Sequence, residues 1–147
     1  MELELITTSS EETISLGEKL AKVLPNGLTI LLTGDLGAGK TTLVRGIAKG
    51  LNIQGVVQSP TFNIMKIYTK GDRPLIHIDA YRLADINTDI GLDEYIGYET
   101  GLTVIEWPIY IPKLIPEFKI EVEITNLGDN TRRLLFKGEE QLLKEVK

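Results

Sequence analysis

The sequence predicts an α/β fold in three layers whose sheet mixes parallel and antiparallel strands. Three observations predict it. Residues 28–33 form a short apolar run suited to a buried strand, and a glycine-rich loop and then a helical pattern follow. Two more apolar runs of the same kind recur at 75–79 and 102–106. Turn signals at 70–74 and 126–130 each fold one strand back on another, which brings antiparallel pairs into the sheet. One domain over residues 1–147 accommodates all of this, a length that suits one hydrophobic core.

In chain order, residues 2–7 alternate acidic and apolar side chains, as a half-solvated edge strand does. Ser9 or Ser10 then caps a helix whose first turn carries Glu11 and Glu12, where negative charge favours the helix dipole. Ile14, Leu16, Leu20, Val23 and Leu24 give that helix its buried side, and Pro25, Asn26 and Gly27 end it. After the loop at 34–41, a helix over 42–51 puts Leu43, Val44, Ile47, Ala48 and Leu51 on one face. A connector over 50–58 leads to Ser59, Pro60, Thr61 and Phe62, where the proline pushes Ser59 towards an extended backbone. Residues 62–68 read as a strand, and 75–79 return beside them as a hairpin. Residues 83–95 read as a mainly helical, acidic stretch broken near Gly91. The strand over 102–106 ends at Glu106 and is stopped by Trp107 and Pro108, and Pro112 and Pro116 mark a connector. Residues 118–124 alternate as a strand with one dry face, 132–137 pair back on them, and 139–147 form a short final helix. There is no internal repeat, low-complexity tract or interdomain linker.

Composition excludes several chemistries. With no cysteine there is no disulfide, thiolate metal site or cysteine nucleophile, and a single histidine, His77, argues against zinc. No apolar run approaches the ~20 residues that span a bilayer. The opening Met1, Glu2, Leu3, Glu4 and Leu5 lacks a signal peptide's charged-then-apolar plan, which predicts a cytoplasmic protein without a membrane role. Acids outnumber bases 21 to 16, for a net charge of −5, and no basic cluster exceeds the pair Arg132 and Arg133. Phosphate contacts carry most of the affinity for nucleic acids, so any nucleic acid in the function is held chiefly by something else.

The glycine-rich loop carries the chemistry. Gly34, Asp35, Leu36, Gly37, Ala38, Gly39, Lys40 and Thr41 fit the phosphate-loop pattern G-x-x-x-x-G-K-[ST], between a strand and a helix, where that pattern has mechanical sense. Its small residues let backbone N–H groups wrap a phosphate, and the next helix offers its positive end to the same anion. Lys40 then reaches the outer phosphates and the Thr41 hydroxyl holds magnesium. The competing interpretation is a glycine-rich turn with a surface lysine. Phosphoryl chemistry also needs a second magnesium anchor and a group that orients water. Asp79 and Glu106 each end an apolar strand, and strand ends in a parallel sheet gather beside such a loop. Either carboxylate can be the direct metal ligand, and either can be solvated punctuation. His77 shares a strand face with Asp79, as catalyst or as core residue. Arg82 reads as a phosphate-contacting arginine or a surface ion pair, Trp107 first as a packing anchor and second as a nucleotide contact, and Ser59 to Phe62 as a γ-phosphate-sensing loop or a plain proline turn.

Four motifs together resemble one family. Residues 34–42 (the loop with Thr42), Ser59 to Phe62, His77 to Leu83 and Val104 to Pro108 recur in this order and spacing in the bacterial tRNA threonylcarbamoyladenosine biosynthesis ATPase family, TsaE (also called YjeE). The resemblance covers essentially the whole chain. It implies a P-loop NTPase-like fold and a small ATPase that binds ATP and Mg²⁺ and works with two protein subunits of the tRNA threonylcarbamoyl transferase complex. The tRNA is held mainly through these partners, and hydrolysis resets the complex between turnovers. Carried over by motif, residues 34–42 bind nucleotide, Lys40 contacts phosphate, Thr41 and Glu106 hold magnesium, and Asp79 assists hydrolysis. By a looser match, Ser10 and Arg132 lie near the base and ribose. The principal alternative is a small-molecule kinase, although only five arginines are present and no arginine-rich insertion follows the loop. A guanine-reading switch would carry N-K-x-D, which does not occur, and a nucleotide-binding subunit with negligible turnover stays open.

Overall fold

The computed structural model describes residues 1–35, 38–54, 64–81 and 92–147, together with the backbone of 82–83. Its strands are β1 (Glu2–Thr7), β2 (Thr29–Thr33), β3 (Met65–Tyr68), β4 (Leu75–Asp79), β5 (Leu102–Glu106), β6 (Lys119–Gly128) and β7 (Thr131–Lys137), and its helices α1 (Ser10–Val23), α2 (Lys40–Gly50) and α3 (Glu140–Leu143). The strands form one seven-stranded sheet in the order β1-β7-β6-β2-β5-β4-β3. The four central strands β6, β2, β5 and β4 are parallel. β3 lies antiparallel on β4, β7 on β6 and β1 on β7, so the sheet is mixed as the hairpin signals predict.

Side-chain alternation sorts the core onto two faces. Ile30, Leu32, Leu75, Val104, Val122, Leu134 and Phe136 pack with Leu20, Leu43, Ile47 and Leu143 on the helical face. Leu31, Ile76, Ile78 and Ile105 point the other way and meet Ala80, Leu92 and Ile111. Short 3-10 turns at Ala80–Leu83, Leu92–Glu94, Pro108–Tyr110 and Pro112–Leu114 supply that third layer. Burying each large aliphatic side chain contributes roughly 1.5–3 kcal/mol, and it is the helical face that collects most of them.

α1 lies close on α2 because glycines face across the contact: a Cβ at Gly17 would stand 2.6 Å from the Leu43 carbonyl oxygen. Ser9, not Ser10, caps α1, accepting from the Glu12 N–H at 3.1 Å, while Glu12 accepts from the Thr8 N–H at 3.1 Å. At the other end Arg73, from the β3–β4 turn, donates to the Ala21 and Leu24 carbonyls at 2.6 and 2.7 Å and to Asn26 Oδ1 at 2.6 Å. Helix ends leave backbone carbonyls without intrahelical donors, and Arg73 supplies donors to two of them here. Burial lowers the Arg73 guanidinium pKa from its ordinary value.

Several boundaries move. α2 begins at Lys40 rather than 42, because Gly39 at φ 107° closes the loop and the helix starts at once. β6 runs on to Gly128 through an irregularity at Asn126 and Gly128, and Asp129 and Asn130, both at positive φ (49° and 65°), make the reversal. The final helix is only Glu140–Leu143. Of the stretch expected as helical at 83–95, Leu92–Glu94 is a 3-10 turn and 84–91 lie outside the described residues, as do 62 and 63 of the expected strand. Among the described residues no helix is long and apolar enough to cross a membrane.

Candidate nucleotide site

The parallel centre of the sheet brings its strand ends together. Glu106 stands in register with Leu32 on one side and with Asp79 on the other. Since Leu32 and Val104 belong to the helical face, Glu106, Asp79 and His77 face the same side, beneath the start of α2. Two glycines of the loop between β2 and α2 allow close approaches to other parts of the chain. Gly39 takes φ 107°, where a Cβ would sit 3.3 Å from Arg132 Nε, and Gly34 takes φ 151°, where a Cβ would sit 2.7 Å from the Ile124 carbonyl oxygen. No side chain caps α2, so its first-turn N–H groups keep their capacity for an external acceptor. Thr41 and Thr42 lie half-buried in that first turn, and Asp35 is exposed. Leu36 and Gly37 are outside the described residues.

Lys40 does not extend into solvent. It is 6% exposed, with Nζ 3.9 Å from Glu106 Oε1 and 4.2 Å from the centre of the Trp107 ring. Glu106 is also buried, and its Oε2 lies 2.6 Å from Nε2 of His77, which is fully buried. Among the described residues His77 Nδ1 has no hydrogen-bond partner, and since an ionised carboxylate only accepts, the contact at Nε2 is that of an N–H donating to Glu106. Asp79 is half-buried, and its Oδ1 accepts from the Tyr81 N–H at 3.0 Å. Trp107 adopts φ 57°, ψ 51°, a left-handed conformation that costs a non-glycine residue about 1–2 kcal/mol. Its ring is held among Tyr81 and Tyr110 at 5.2 and 6.3 Å between centroids. A cleft of about 410 Å³ opens beside the loop, lined among others by Thr33, Gly34, Ala38, Trp107 and Asn126.

Arg132 reaches this site from β7. Its stem crosses Gly39, and Nη1 donates to Asn126 Oδ1 and the Thr131 carbonyl, both at 3.0 Å. Arg133 faces away and pairs with Glu4 at 3.0 Å. Ser10 is exposed at the start of α1, just after β1, whose Thr7 is in register with Arg132. The structure therefore gathers Gly34, Gly39, Lys40, Glu106, Asp79 and Arg132, and leaves Ser10 at the periphery. The loop at 59–62 and the Arg82 side chain lie outside the described residues.

Among the described residues no three His, Cys, Asp or Glu side chains converge as a metal cage. A helix-start hydroxyl with one or two carboxylates fits a hard cation that takes its remaining ligands from phosphate and water, which is magnesium's habit. Sequence reasoning left two contacts unread. Trp107, expected as a packing anchor, is the aromatic partner of Lys40, and only its position immediately after Glu106 hinted at that. The His77–Glu106 contact depends on β4 and β5 being neighbours in parallel register, which no local pattern reveals.

Comparison with known proteins agrees with this geometry. A family model described as threonylcarbamoyl adenosine biosynthesis protein TsaE matches residues 7–134. The tRNA threonylcarbamoyladenosine biosynthesis protein TsaE of Bacillus subtilis is 40% identical over 135 residues, 92% of this chain and 85% of that protein. The protein of the same name from Aquifex aeolicus is 41% identical over 133 residues, 89% of this chain and 92% of its own. The crystal structure of Bacillus subtilis YdiB superposes with a TM-score of 0.83 at 33% identity, covering 99% of this chain and 94% of that one.

Proposed function

The chain belongs to the TsaE family, and on that footing we propose that it serves tRNA threonylcarbamoyladenosine biosynthesis as a magnesium-dependent ATPase. One observation carries the ATPase reading: a buried lysine at the uncapped start of α2, facing a strand-end carboxylate that is itself held by a buried histidine. In this reading the N–H groups of residues 34–42 and the Lys40 ammonium bind the phosphates of ATP. Thr41 and Glu106 hold the cation. Magnesium supplies positive charge against the phosphate oxygens. Asp79, in register with Glu106, accepts a hydrogen bond from the attacking water and directs it to the γ-phosphorus, with ADP leaving. Arg132, lying across Gly39, contacts the nucleotide from the β7 side, and Ser10 borders the base.

The net charge of −5 supports a division of labour in which two subunits of the threonylcarbamoyl transferase complex hold most of the tRNA. ATP hydrolysis by this chain then resets that complex between turnovers, in the cytoplasm. Phosphate release with ATP and with GTP, measured alone, with the two partners and with cognate tRNA, tests the whole reading. Slow release alone that rises with partners and prefers ATP is the expected result. Phosphate transfer to a metabolite in place of water would replace it with a kinase.

A further inference from the structure

His77 has no task in the reading above, and packing alone does not account for it. It is fully buried on β4, with Nδ1 unpartnered among the described residues. An apolar side chain of similar volume would fill the space without the desolvation penalty of a half-satisfied imidazole. What the ring does contribute is Nε2, 2.6 Å from Glu106 Oε2, a short hydrogen bond to a charged acceptor. The other contact to that carboxylate, Lys40 Nζ at 3.9 Å, is too long for a hydrogen bond and fixes no orientation. If phosphate takes Lys40 as its partner, His77 remains as the hold on Glu106.

We propose that His77 is a positioning residue: its Nε2–H fixes the Glu106 carboxylate so that Oε1, which faces Lys40 at rest, is presented to the cation when nucleotide is bound. The inference rests on the reading of Glu106 as a magnesium ligand. Outer hydrogen bonds of this kind change metal affinity because they hold a ligand in its binding orientation before the metal arrives.

The test measures the affinity of ADP with and without Mg²⁺ for the wild type, His77→Phe, His77→Gln and Glu106→Ala. Phe keeps the ring volume and loses the donor; the Gln amide nitrogen stands near the position of Nε2. The magnesium-dependent gain in ADP affinity is expected to fall about tenfold in His77→Phe, with metal-free ADP unchanged, and to return in His77→Gln. An unchanged gain in His77→Phe, or equal losses with and without Mg²⁺, overturns the proposal. Glu106→Ala separates the two layers. If it loses the gain while His77→Phe keeps it, only the positioning role fails; if it keeps the gain, the metal role of Glu106 fails and the proposal with it. Should His77→Phe not fold, His77→Leu, which also lacks the donor, takes its place with the same expected outcomes. Loss of the gain in His77→Gln counts against the proposal. Because His77 is the only histidine, its ring nitrogens are assigned in an ¹⁵N spectrum without ambiguity. An Nε2–H tautomer with a slowly exchanging proton is expected, and an Nδ1–H tautomer would overturn the assignment.

Discussion

Lys40 Nζ stands 3.9 Å from Glu106 Oε1, and both side chains are almost wholly removed from solvent. The strand-end carboxylate and the Trp107 ring thus neutralise the lysine of the phosphate loop inside the protein. In the proposed function, nucleotide binding is an exchange of partners for Lys40, a phosphate oxygen for a carboxylate, rather than the capture of an anion by a free cation.

Lys40→Met removes one side of that exchange. The methionine fills the buried space, and Glu106 keeps His77. ATP affinity is expected to fall at least tenfold and the melting temperature to fall as well, since removing one partner of a buried pair leaves the Glu106 charge uncompensated, at a cost of up to roughly 3–5 kcal/mol. Calorimetric titration with ATP and a thermal melt check both halves.

For the metal, Thr41→Ala and Glu106→Ala are expected to weaken Mg·ATP much more than metal-free ATP, because each removes an oxygen ligand to a hard cation. Affinities measured in magnesium and in EDTA decide it, and equal losses in the two buffers would remove both residues from the metal site.

Asp79→Asn is expected to keep ATP binding and lower single-turnover hydrolysis by about 10²–10⁴, the usual contribution of a positioned base. Asparagine preserves the acceptor oxygen that takes the Tyr81 N–H, so the local turn survives. A variant that hydrolyses at the normal rate would return Asp79 to the role of a strand end.

The strand–loop–helix unit around Lys40 was legible because it is local: the glycines, Lys40 and Thr41 lie in one short stretch with a strand before it and a helix after it. The seven strands were legible from alternation and turn residues. Their order was not, because insertion of β6 between β7 and β2 depends on which faces the helices cover, not on any one segment. In the sequence the α1 cap stays open between Ser9 and Ser10 because the two are chemically equivalent caps, and only the backbone distinguishes them. Arg73 looked like part of a turn, and its contacts with the end of α1 span 49 and 52 residues of sequence.

Those contacts give a stability prediction. Arg73→Ala frees the Ala21 and Leu24 carbonyls at a partly buried helix end. Unfolding free energy is expected to fall by about 1–3 kcal/mol, as for buried acceptors left unmade. Urea denaturation checks this, and ATP affinity serves as a control that the distant site stays intact.

The partner dependence is testable through linkage. If the transferase partners complete the site around the triphosphate, ATP must tighten partner binding as much as partners tighten ATP. A partner titration with ATP, with ADP and without nucleotide is expected to give the tightest complex with ATP; identical affinities in all three would leave a free-standing hydrolase.

The left-handed residue after β5 has one more consequence. Trp107 is the only tryptophan in the chain, and its indole carries Lys40 on its face at 4.2 Å. The emission of that indole depends on the charge lying against it, so the intensity and wavelength of the chain's own fluorescence register whether Lys40 is at rest or engaged elsewhere. If the proposed function holds, loading of the loop is expected to change this emission in real time, without label or coupled assay, because the one tryptophan lies against Lys40.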